Sequence, residues 1–469
     1  MNSIRLENFR AFKDTGVIEI KPITILVGNN SSGKSSFLRF LPLLKQSLEE
    51  SKHGPLLWYK ENGVDFDKFS TSVHNGENYI KMSFSITPRY HGYALRDKSN
   101  VEINISISIE KESQNSDYDY VKSVSFKYSD VEIDITINRK KCKADVLING
   151  VEMPQLQYFS RSNQQLFPAL YLENNFKVQK FEDVVAAFCQ DKRLFTRSYD
   201  DFLLMPKYEF DEKMSTLSDK DKMKTFVELT FVNIPDLVQL LEMNIRFEMN
   251  AVSYIGPFRD SPQRYYRAQN LSSHNIDMKG SNIAIFLSEL DEERMKELNK
   301  NLFDHYKFEL DIRKDFGQIS IYIIRDGKTT NIIDNGFGYS QILPVILALY
   351  TFDKRKMNIG GIKMPNTICI EQPELHLHPL MQYRIGKSLT DMISSTNFEK
   401  QAKIDNKIII ETHSRSLIEA LGEAISKKEV NPDAIAVYLF SQSEGAATVD
   451  KASFDDDGYL TNWPIGFLD

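Results

Sequence analysis

Apolar positions along this chain change period several times, and each change predicts a change of structure. Up to Val27 the chain reads as strands. Ile4, Leu6 and Phe9, then Val17, Ile18 and Ile20, lead to the buried run Ile23-Thr24-Ile25-Leu26-Val27, which stops at glycine. From Ser36 to Leu48, the residues Phe37, Leu38, Phe40, Leu41, Leu44 and Leu48 form a helical stripe. Between Tyr79 and about Met153 the pattern becomes strict alternation: Ile80-Met82-Phe84-Ile86, Val101-Ile103-Ile105-Ile107, Val124-Phe126 and Val131-Ile133-Ile135-Ile137. That is the signature of an antiparallel meander with one wet face. Glu182–Met249 loses the alternation and reads as helical, with Val227, Phe231, Leu237, Leu240 and Leu241 inside a helix over Phe226–Met243. From Ile319 onward strands and helices alternate. Ile319, Ile321 and Ile323 mark a strand, Ser340–Phe352 a helix, Thr367–Ile370 a strand, Leu380–Ser394 a helix, Lys407–Ile410 a strand and Arg415–Ile425 a helix.

Strand–helix alternation of that kind implies a mostly parallel sheet covered by helices. The expected fold is therefore α/β, one core split by a long central insertion that is β-rich first and helical second. The expected limits are 1–78 for the N-terminal half of the core, 79–181 for an antiparallel β-subdomain, 182–250 for a helical insertion and 251–469 for the C-terminal half. Composition narrows the class without choosing a function. With 41% hydrophobic and 26% charged residues the chain is that of an ordinary globular protein. A formal net charge of −7 argues against wholesale wrapping of nucleic acid or an anionic membrane, while leaving room for a local basic groove. The start of the chain enters a strand pattern directly, with no leader-like apolar stretch. The longest apolar run, Ile342–Tyr350, is far short of the roughly 20 residues needed to span a bilayer. Cys142, Cys189 and Cys369 are scattered and make no disulfide framework. A reducing cytoplasm, with no membrane partner, is the expected setting.

Gly28-Asn29-Asn30-Ser31-Ser32-Gly33-Lys34-Ser35 satisfies every position of a phosphate-binding loop, between a predicted buried strand and a predicted helix that opens near Ser36. Glycine lets backbone N–H groups turn inward around phosphate oxygens, and a helix N-terminus adds a favourable dipole. Lys34 is expected on the β- and γ-phosphates of ATP and the Ser35 hydroxyl on Mg²⁺. Such a site also needs an acid at the end of a neighbouring strand, which Thr367-Ile368-Cys369-Ile370-Glu371 supplies.

The continuation Gln372-Pro373-Glu374-Leu375-His376-Leu377-His378-Pro379 resembles the ABC-type ATPases of the RecF, SMC and OLD-nuclease group, whose acidic strand reads apolar–acid–acid–Pro–Glu before Leu-His-Pro. The resemblance implies an ABC-ATPase head and makes Glu371 the ligand to Mg²⁺ and its water. It also places Gln372 where the family carries its catalytic glutamate. Glutamine can orient a water but cannot take its proton. Hydrolysis is therefore slow, or Glu374 substitutes as base, or ATP acts mainly as glue between protomers; slow hydrolysis is the preferred expectation. His376 and His378 alternate on an extended segment, as metal ligands can, but no third ligand lies nearby and a structural linker is the simpler reading.

Asp334-Asn335-Gly336-Phe337-Gly338-Tyr339-Ser340-Gln341 precedes the apolar helix starting at Ile342, with Pro344 expected in its first turn. In this order it resembles the group's degenerate signature turn, and the resemblance assigns Gly336, Gly338, Ser340 and Gln341 to the γ-phosphate held by an opposite protomer. By the same resemblance His413, in Ile408-Ile409-Ile410-Glu411-Thr412-His413-Ser414, is the γ-phosphate switch, and Arg10, in Asn8-Phe9-Arg10-Ala11-Phe12, lies near the nucleotide. Tyr254-Ile255-Gly256-Pro257-Phe258-Arg259 and Trp463-Pro464-Ile465-Gly466-Phe467 resemble a subgroup of bacterial anti-phage defence ATPases, notably Septu-like ones; for the tail, packing is the simpler reading.

What this implies is a homo-oligomer whose heads meet head-to-head over two ATP molecules and control a separately encoded effector nuclease. Alternatives are a DNA repair or chromosome-structure ATPase, for which residues 182–249 lack the expected heptads, and an OLD-type nuclease, for which the chain after His413 is short. A transporter ATPase subunit fits the signature turn and the long insertion poorly. Arg259, Arg264, Tyr265, Tyr266 and Arg267, and separately Arg139, Lys140, Lys141 and Lys143, are the clusters to weigh for DNA contact against solvated faces.

Overall fold

The computed structural model describes residues 1–88, 102–112, 118–159, 165–172, 218, 227–228, 230–269, 273, 275–354, 358–359, 362–363, 366–394, 406–443 and 445–463. The chain opens with β1 (Ser3–Phe9), β2 (Phe12–Asp14), β3 (Ile18–Glu19) and β4 (Ile23–Gly28). These four strands go to two different sheets. Two compact units result, one made of 1–18, 43–60 and 65–250, the other of 19–42, 61–64 and 251–469.

In the first unit an antiparallel sheet follows the order β11-β10-β9-β8-β7-β6-β5-β1-β2, with β3 beside β1. Its members are β5 (Tyr79–Ile86), β6 (Ile103–Lys111), β7 (Asp119–Tyr128), β8 (Val131–Asn138), β9 (Lys143–Ile148), β10 (Val151–Phe159) and β11 (Ala169–Tyr171). Alternation predicted this meander, and the burial of β8 shows why it holds. Val131, Ile133, Ile135 and Ile137 are buried while Glu132 and Thr136 are exposed. The meander also recruits the N-terminus: β1 pairs with β5 in the register Leu6↔Met82. A division at residue 78 therefore differs from the observed one, because alternation in β1 matches the half-buried antiparallel sheet, not a core strand. The helix Ile234–Asn250 completes the described part of this unit. Most of the segment expected to be helical, 182–226, lies outside the described residues.

In the second unit the sheet order is β12-β19-β20-β4-β21-β22-β23. It uses β12 (Val252–Ile255), β19 (Asn366–Glu371), β20 (Asn406–Glu411), β21 (Ile435–Ser443), β22 (Ala446–Phe454) and β23 (Leu460–Thr461). The short strands β13 (Tyr266–Arg267), β14 (Glu309–Asp315), β15 (Gln318–Arg325) and β16 (Lys328–Asn331) form a separate antiparallel sheet, and β17 (Asn358–Ile359) pairs with β18 (Ile362–Lys363). From β12 to β21 all pairings are parallel. Every residue of β4 is buried, as a strand covered on both faces requires. Helices Phe337–Lys354, Pro379–Ser394 and Arg415–Ser426 contribute Leu347, Ile385, Leu389, Leu417 and Leu421 to one core with Ile25, Ile370, Ile410 and Val437. All parallel strands end on the same side, which gathers their final residues into one place.

Candidate nucleotide site

β4 delivers the chain into the loop Gly28–Ser35, which enters the short helix α1 (Lys34–Leu38) and then α2 (Phe40–Glu49). Gly28 has φ +152, and a Cβ there would stand 2.1 Å from the Phe440 carbonyl oxygen of β21; only glycine lets the loop leave this close to its neighbour strand. Ser31 and Gly33 also take positive φ, at 64° and 96°. The Ser32 hydroxyl donates to the Asn29 carbonyl at 2.8 Å and tightens the turn. Asn29 and Asn30 are exposed, while Ser35 and Ser36 are half-buried at the start of α1. Lys34 is buried, and its ammonium donates to the carbonyls of Gly28 (2.8 Å) and Asn29 (2.7 Å). Burial lowers its pKa, and the nearby carboxylates of Glu411 and Glu374 oppose that shift.

Two glutamates end adjacent strands. Glu371 of β19 and Glu411 of β20 face each other in register, and Glu411 is also paired with Leu26 of β4. Glu371 is fully engaged: Arg39, which caps α1, donates to its two oxygens at 2.6 and 2.7 Å, and the Tyr254 hydroxyl adds a third bond at 2.7 Å. Glu411 has only 3% of its surface exposed, and its Oε2 has no hydrogen-bond partner. Burial and the Glu371 charge raise its pKa to about 7, while hydrogen bonding with the Ser35 side chain and the charges of Lys34 and Arg39 oppose the rise.

Gln372 follows in the left-handed region at φ 42°, its backbone N–H donating to the Glu411 carbonyl at 2.8 Å. Glu374 then turns back. Its oxygens accept from the Thr412 hydroxyl (2.9 Å) and the His413 backbone N–H (2.6 Å), so it ties the segment after β19 to the segment after β20. Burial raises the Glu374 carboxyl above its ordinary range, with those donors and Arg259 opposing. With both oxygens committed it is a poor substitute base. The half-buried His413 keeps Nε2 without a partner, and burial together with the Lys34 charge lowers its pKa, favouring the neutral ring. Arg259 donates from Nη2 to the Glu371 carbonyl at 2.8 Å and to the Gln372 carbonyl at 3.3 Å. It is 7% exposed, its Nε and Nη1 lack partners, and burial lowers its pKa to about 10.

The signature turn differs from its expected form. The helix begins at Phe337 rather than near Ile342, so Pro344 lies inside it and Ser340 and Gln341 are buried at 2% and 3% exposure. Apolar residues from Ile342 to Phe352 mark only the fully buried body of the helix, and the pattern misses its half-buried first turn. Gly336, exposed with φ 74°, and the half-buried Gly338, where an added Cβ would stand 3.7 Å from the His376 carbonyl oxygen, form the start of the helix. Arg10 belongs to the other unit, where it donates to the Thr71 carbonyl at 3.0 Å and lies over the Phe66 ring. His376 and His378 are exposed, and the His378 Nδ1 accepts from Leu380 N–H at the start of a helix. Among the described residues no group of three His, Cys, Asp or Glu is arranged to hold a metal ion. Of the basic clusters, Arg259 is withdrawn by its burial, Arg264 pairs with Asp334, and Arg139 pairs with Glu112. Trp463 packs partly buried against the core; Pro464–Phe467 lie outside the described residues.

Sequence reading passed over Arg39, Tyr254 and Glu411 as site residues. Glu411 carried a visible signal, since Ile408-Ile409-Ile410-Glu411 repeats the apolar–acid ending of β19; the other two become significant only through the strand order. Oxygen donors from Ser35 and a buried carboxylate suit a hard cation such as Mg²⁺, and the loop with Lys34 suits a polyphosphate. The unpartnered buried atoms of Glu411, His413 and Arg259 fit an environment completed by a polar ligand.

Comparison with known proteins agrees with this chemistry. Residues 1–418 match the family model described as an AAA ATPase domain. The chain is similar to endonuclease GajA of Bacillus cereus (strain HuB5-5), 24% identical over 307 residues, which make up 62% of this chain and 43% of that protein. The chain thus spans less than half the length of that curated relative. Among solved structures it is similar to the SMC head domain from Thermotoga maritima, at TM-score 0.38 and 10% identity over 96% of this chain and 98% of that one. It is also similar to an SMC head bound to the C-terminal winged-helix domain of ScpA, at TM-score 0.36 and 11% identity over 96% and 98%. No helix among the described residues is long and apolar enough to cross a membrane. The fold is α/β, an ATPase domain with an additional antiparallel sheet. The matched span contains every element of the site, and the chain belongs to the AAA ATPase domain family.

Proposed function

We propose that this chain is the ATP-switched head of a bacterial anti-phage defence complex, Septu-like in organisation, that binds ATP with Mg²⁺, hydrolyses it slowly and controls an effector nuclease. The reading is carried by Gln372, which follows the acidic strand where a proton acceptor is expected, while Glu374, the substitute the motif offers, has both oxygens committed to Thr412 and His413. Similarity to an endonuclease named GajA supports the nuclease link.

In this mechanism the loop N–H groups and Lys34 hold the phosphates, Lys34 exchanging the Gly28 and Asn29 carbonyls for phosphate oxygens. Ser35 and the strand-end acids Glu371 and Glu411 are the residues that would hold Mg²⁺, which when bound offsets the charge on the phosphates. Gln372 orients a water through its amide but cannot remove its proton, so turnover is slow. His413, neutral, presents Nε2 to the terminal phosphate and reports its presence to the switch loop. Two heads close over two nucleotides because the start of helix Phe337–Lys354, at Gly336 and Gly338, offers donors to the phosphate held by the other protomer. Direct DNA contact by Lys140, Lys141 and Arg267 is compatible with this scheme but is not required by it. A second reading places the nuclease in the same polypeptide, favoured because the similar endonuclease is more than twice the matched length.

Turnover and solution mass, measured with and without ATP–Mg²⁺ for the wild type and Gln372→Glu, test the proposal. Slow wild-type turnover, faster turnover in the variant and ATP-dependent doubling of mass are expected. Brisk wild-type turnover would overturn the role given to Gln372. Metal-dependent cleavage of DNA by the purified chain alone would favour the second reading.

A further inference from the structure

We infer that Arg259 is a positioning residue for turnover, holding the backbone of Glu371 and Gln372 so that the Gln372 amide can orient the attacking water. The inference rests on the nucleotide reading above and names the group that readies that site for hydrolysis. In the step it serves, a water oxygen bonds to the γ-phosphorus and the bond to the β–γ bridging oxygen breaks, its electron pair leaving on ADP. The water's proton passes to the phosphate released. β12 runs parallel to β19 with Ile255 beside Ile370, so the chain leaving β12 emerges next to the end of the acidic strand. Arg259 lies on that exit segment, which is pinned on both sides of it. Gly256 N–H donates to the Met278 carbonyl at 2.9 Å and Asp260 N–H to the Lys279 carbonyl at 3.0 Å.

From that fixed base one nitrogen, Nη2, donates to two successive carbonyls, Glu371 at 2.8 Å and Gln372 at 3.3 Å. The second contact falls on a strained residue. Gln372 has φ 42°, in the left-handed region, which a residue with a side chain keeps only when its surroundings hold it there. Its other backbone holds are the N–H bond to the Glu411 carbonyl at 2.8 Å and a bond from Leu375 N–H to its carbonyl at 3.3 Å. Without Arg259 the Gln372 carbonyl keeps only that long bond. The residue is then free to relax toward an ordinary conformation and to carry its amide elsewhere.

The cost of Arg259 argues that the hold matters. Its side chain is buried, and among the described residues Nε and Nη1 have no partner. The nearby carboxylates are engaged elsewhere, Glu371 by Arg39 and Tyr254, and Glu374 by Thr412 and His413. A buried cation in that condition costs stability that an apolar side chain of similar length would not. Packing alone therefore does not call for arginine here; the bonds to Glu371 and Gln372 do. Lysine is no equivalent, because a point ammonium on a flexible stem does not fix two carbonyls as a planar guanidinium does.

Turnover of radiolabelled ATP and calorimetric ATP affinity, measured on the full chain for Arg259→Lys, Gln372→Ala and the double variant, test the inference. In Arg259→Lys kcat should fall about tenfold or more while KM and Kd stay within about twofold, because the phosphate loop still holds the nucleotide. In the Gln372→Ala background the same substitution should change kcat by less than about twofold, since the residue it positions is gone. Arg259→Gln, which keeps one amide donor for a carbonyl, should show an intermediate kcat and serves if Arg259→Lys does not fold. Full wild-type kcat in either Arg259 variant overturns the inference. So does an equal loss of kcat in both backgrounds, or a loss of ATP affinity that matches the loss of kcat, as a merely structural role would give. Wild-type kcat in Gln372→Ala, or failure of the wild type to bind ATP, would instead sink the reading on which the inference stands.

Discussion

In the antiparallel unit Glu242 accepts from the backbone N–H groups of Leu166 (3.0 Å) and Phe167 (3.0 Å) and is paired with Arg246. Lys52 donates to the carbonyls of Ser47 and Gln165, and Asp119 accepts from the Trp58 indole at 3.1 Å. All three charged side chains are buried, and none has a buried atom without a partner. In the parallel unit Arg259, Glu411 and His413 each keep a buried polar atom unpartnered, all near the ends of the strands around the phosphate loop. The antiparallel unit also leaves Glu7 Oε1 and the Tyr128 hydroxyl without a hydrogen bond, but Glu7 Oε1 still has Arg5 at 3.5 Å and Lys81 at 3.4 Å. Arg259, Glu411 and His413 of the parallel unit instead gather at the strand ends beside the loop Gly28–Ser35. The difference teaches where a ligand belongs, because an unmet buried polar group costs free energy unless binding supplies its partner.

The sharpest way to break this contrast is Lys34→Ala. Removing the ammonium should cost about 2–5 kcal/mol of ATP binding, measured by calorimetry, because the charge faces an anion in a shielded loop. Retention of tight ATP binding would remove the phosphate-loop assignment altogether. Next in size is Glu242→Ala, which strands two backbone N–H groups and the charges of Lys52 and Arg246. A stability loss of about 3–5 kcal/mol in denaturant unfolding is expected, with ATP affinity per folded molecule unchanged. Selective loss of ATP binding without loss of stability would reverse the roles given to the two units.

The smallest effect concerns Asp119. Burial raises its pKa to about 6 from an ordinary 3.8, with the Trp58 indole and Lys52 opposing. The folded state therefore holds this proton more tightly than the unfolded state does. Its contribution is fully present below about pH 4 and is lost as pH rises through about 6. Asp119→Asn, which keeps an acceptor for Trp58, should remove a slope of about 1–3 kcal/mol over that window. Thermal midpoints measured every half unit of pH check it; identical slopes in the two proteins would show that burial does not control this carboxyl.

Much of the local structure around the candidate site was legible because its grammar is local. The loop Gly28–Ser35, the strand ahead of it and the acid ending Thr367–Glu371 are short segments whose conformation follows from side chains a few residues apart. The antiparallel strands were legible for the same reason, since alternation over eight residues is enough to define one wet face. Reading failed where a residue's role depends on a distant neighbour. Arg259 looked like part of a basic surface and is a buried brace on Glu371 and Gln372. Ser340 looked like a helix cap and is buried within the first turn, because the continuous apolar run that marked the helix begins only at Ile342.

By itself, then, the sequence determined that the glycine-containing loop Gly28–Ser35 joins a buried strand to a helix, that acids end two other buried strands, and that one long segment forms a half-exposed sheet. Those outcomes depend on backbone freedom at glycine and on the period of apolar residues. Only the tertiary structure decided that β1 joins the meander and that Arg39 and Tyr254 occupy Glu371. These depend on which strands lie next to each other, and strand order is set by burial summed over the whole chain, which no short stretch of residues encodes.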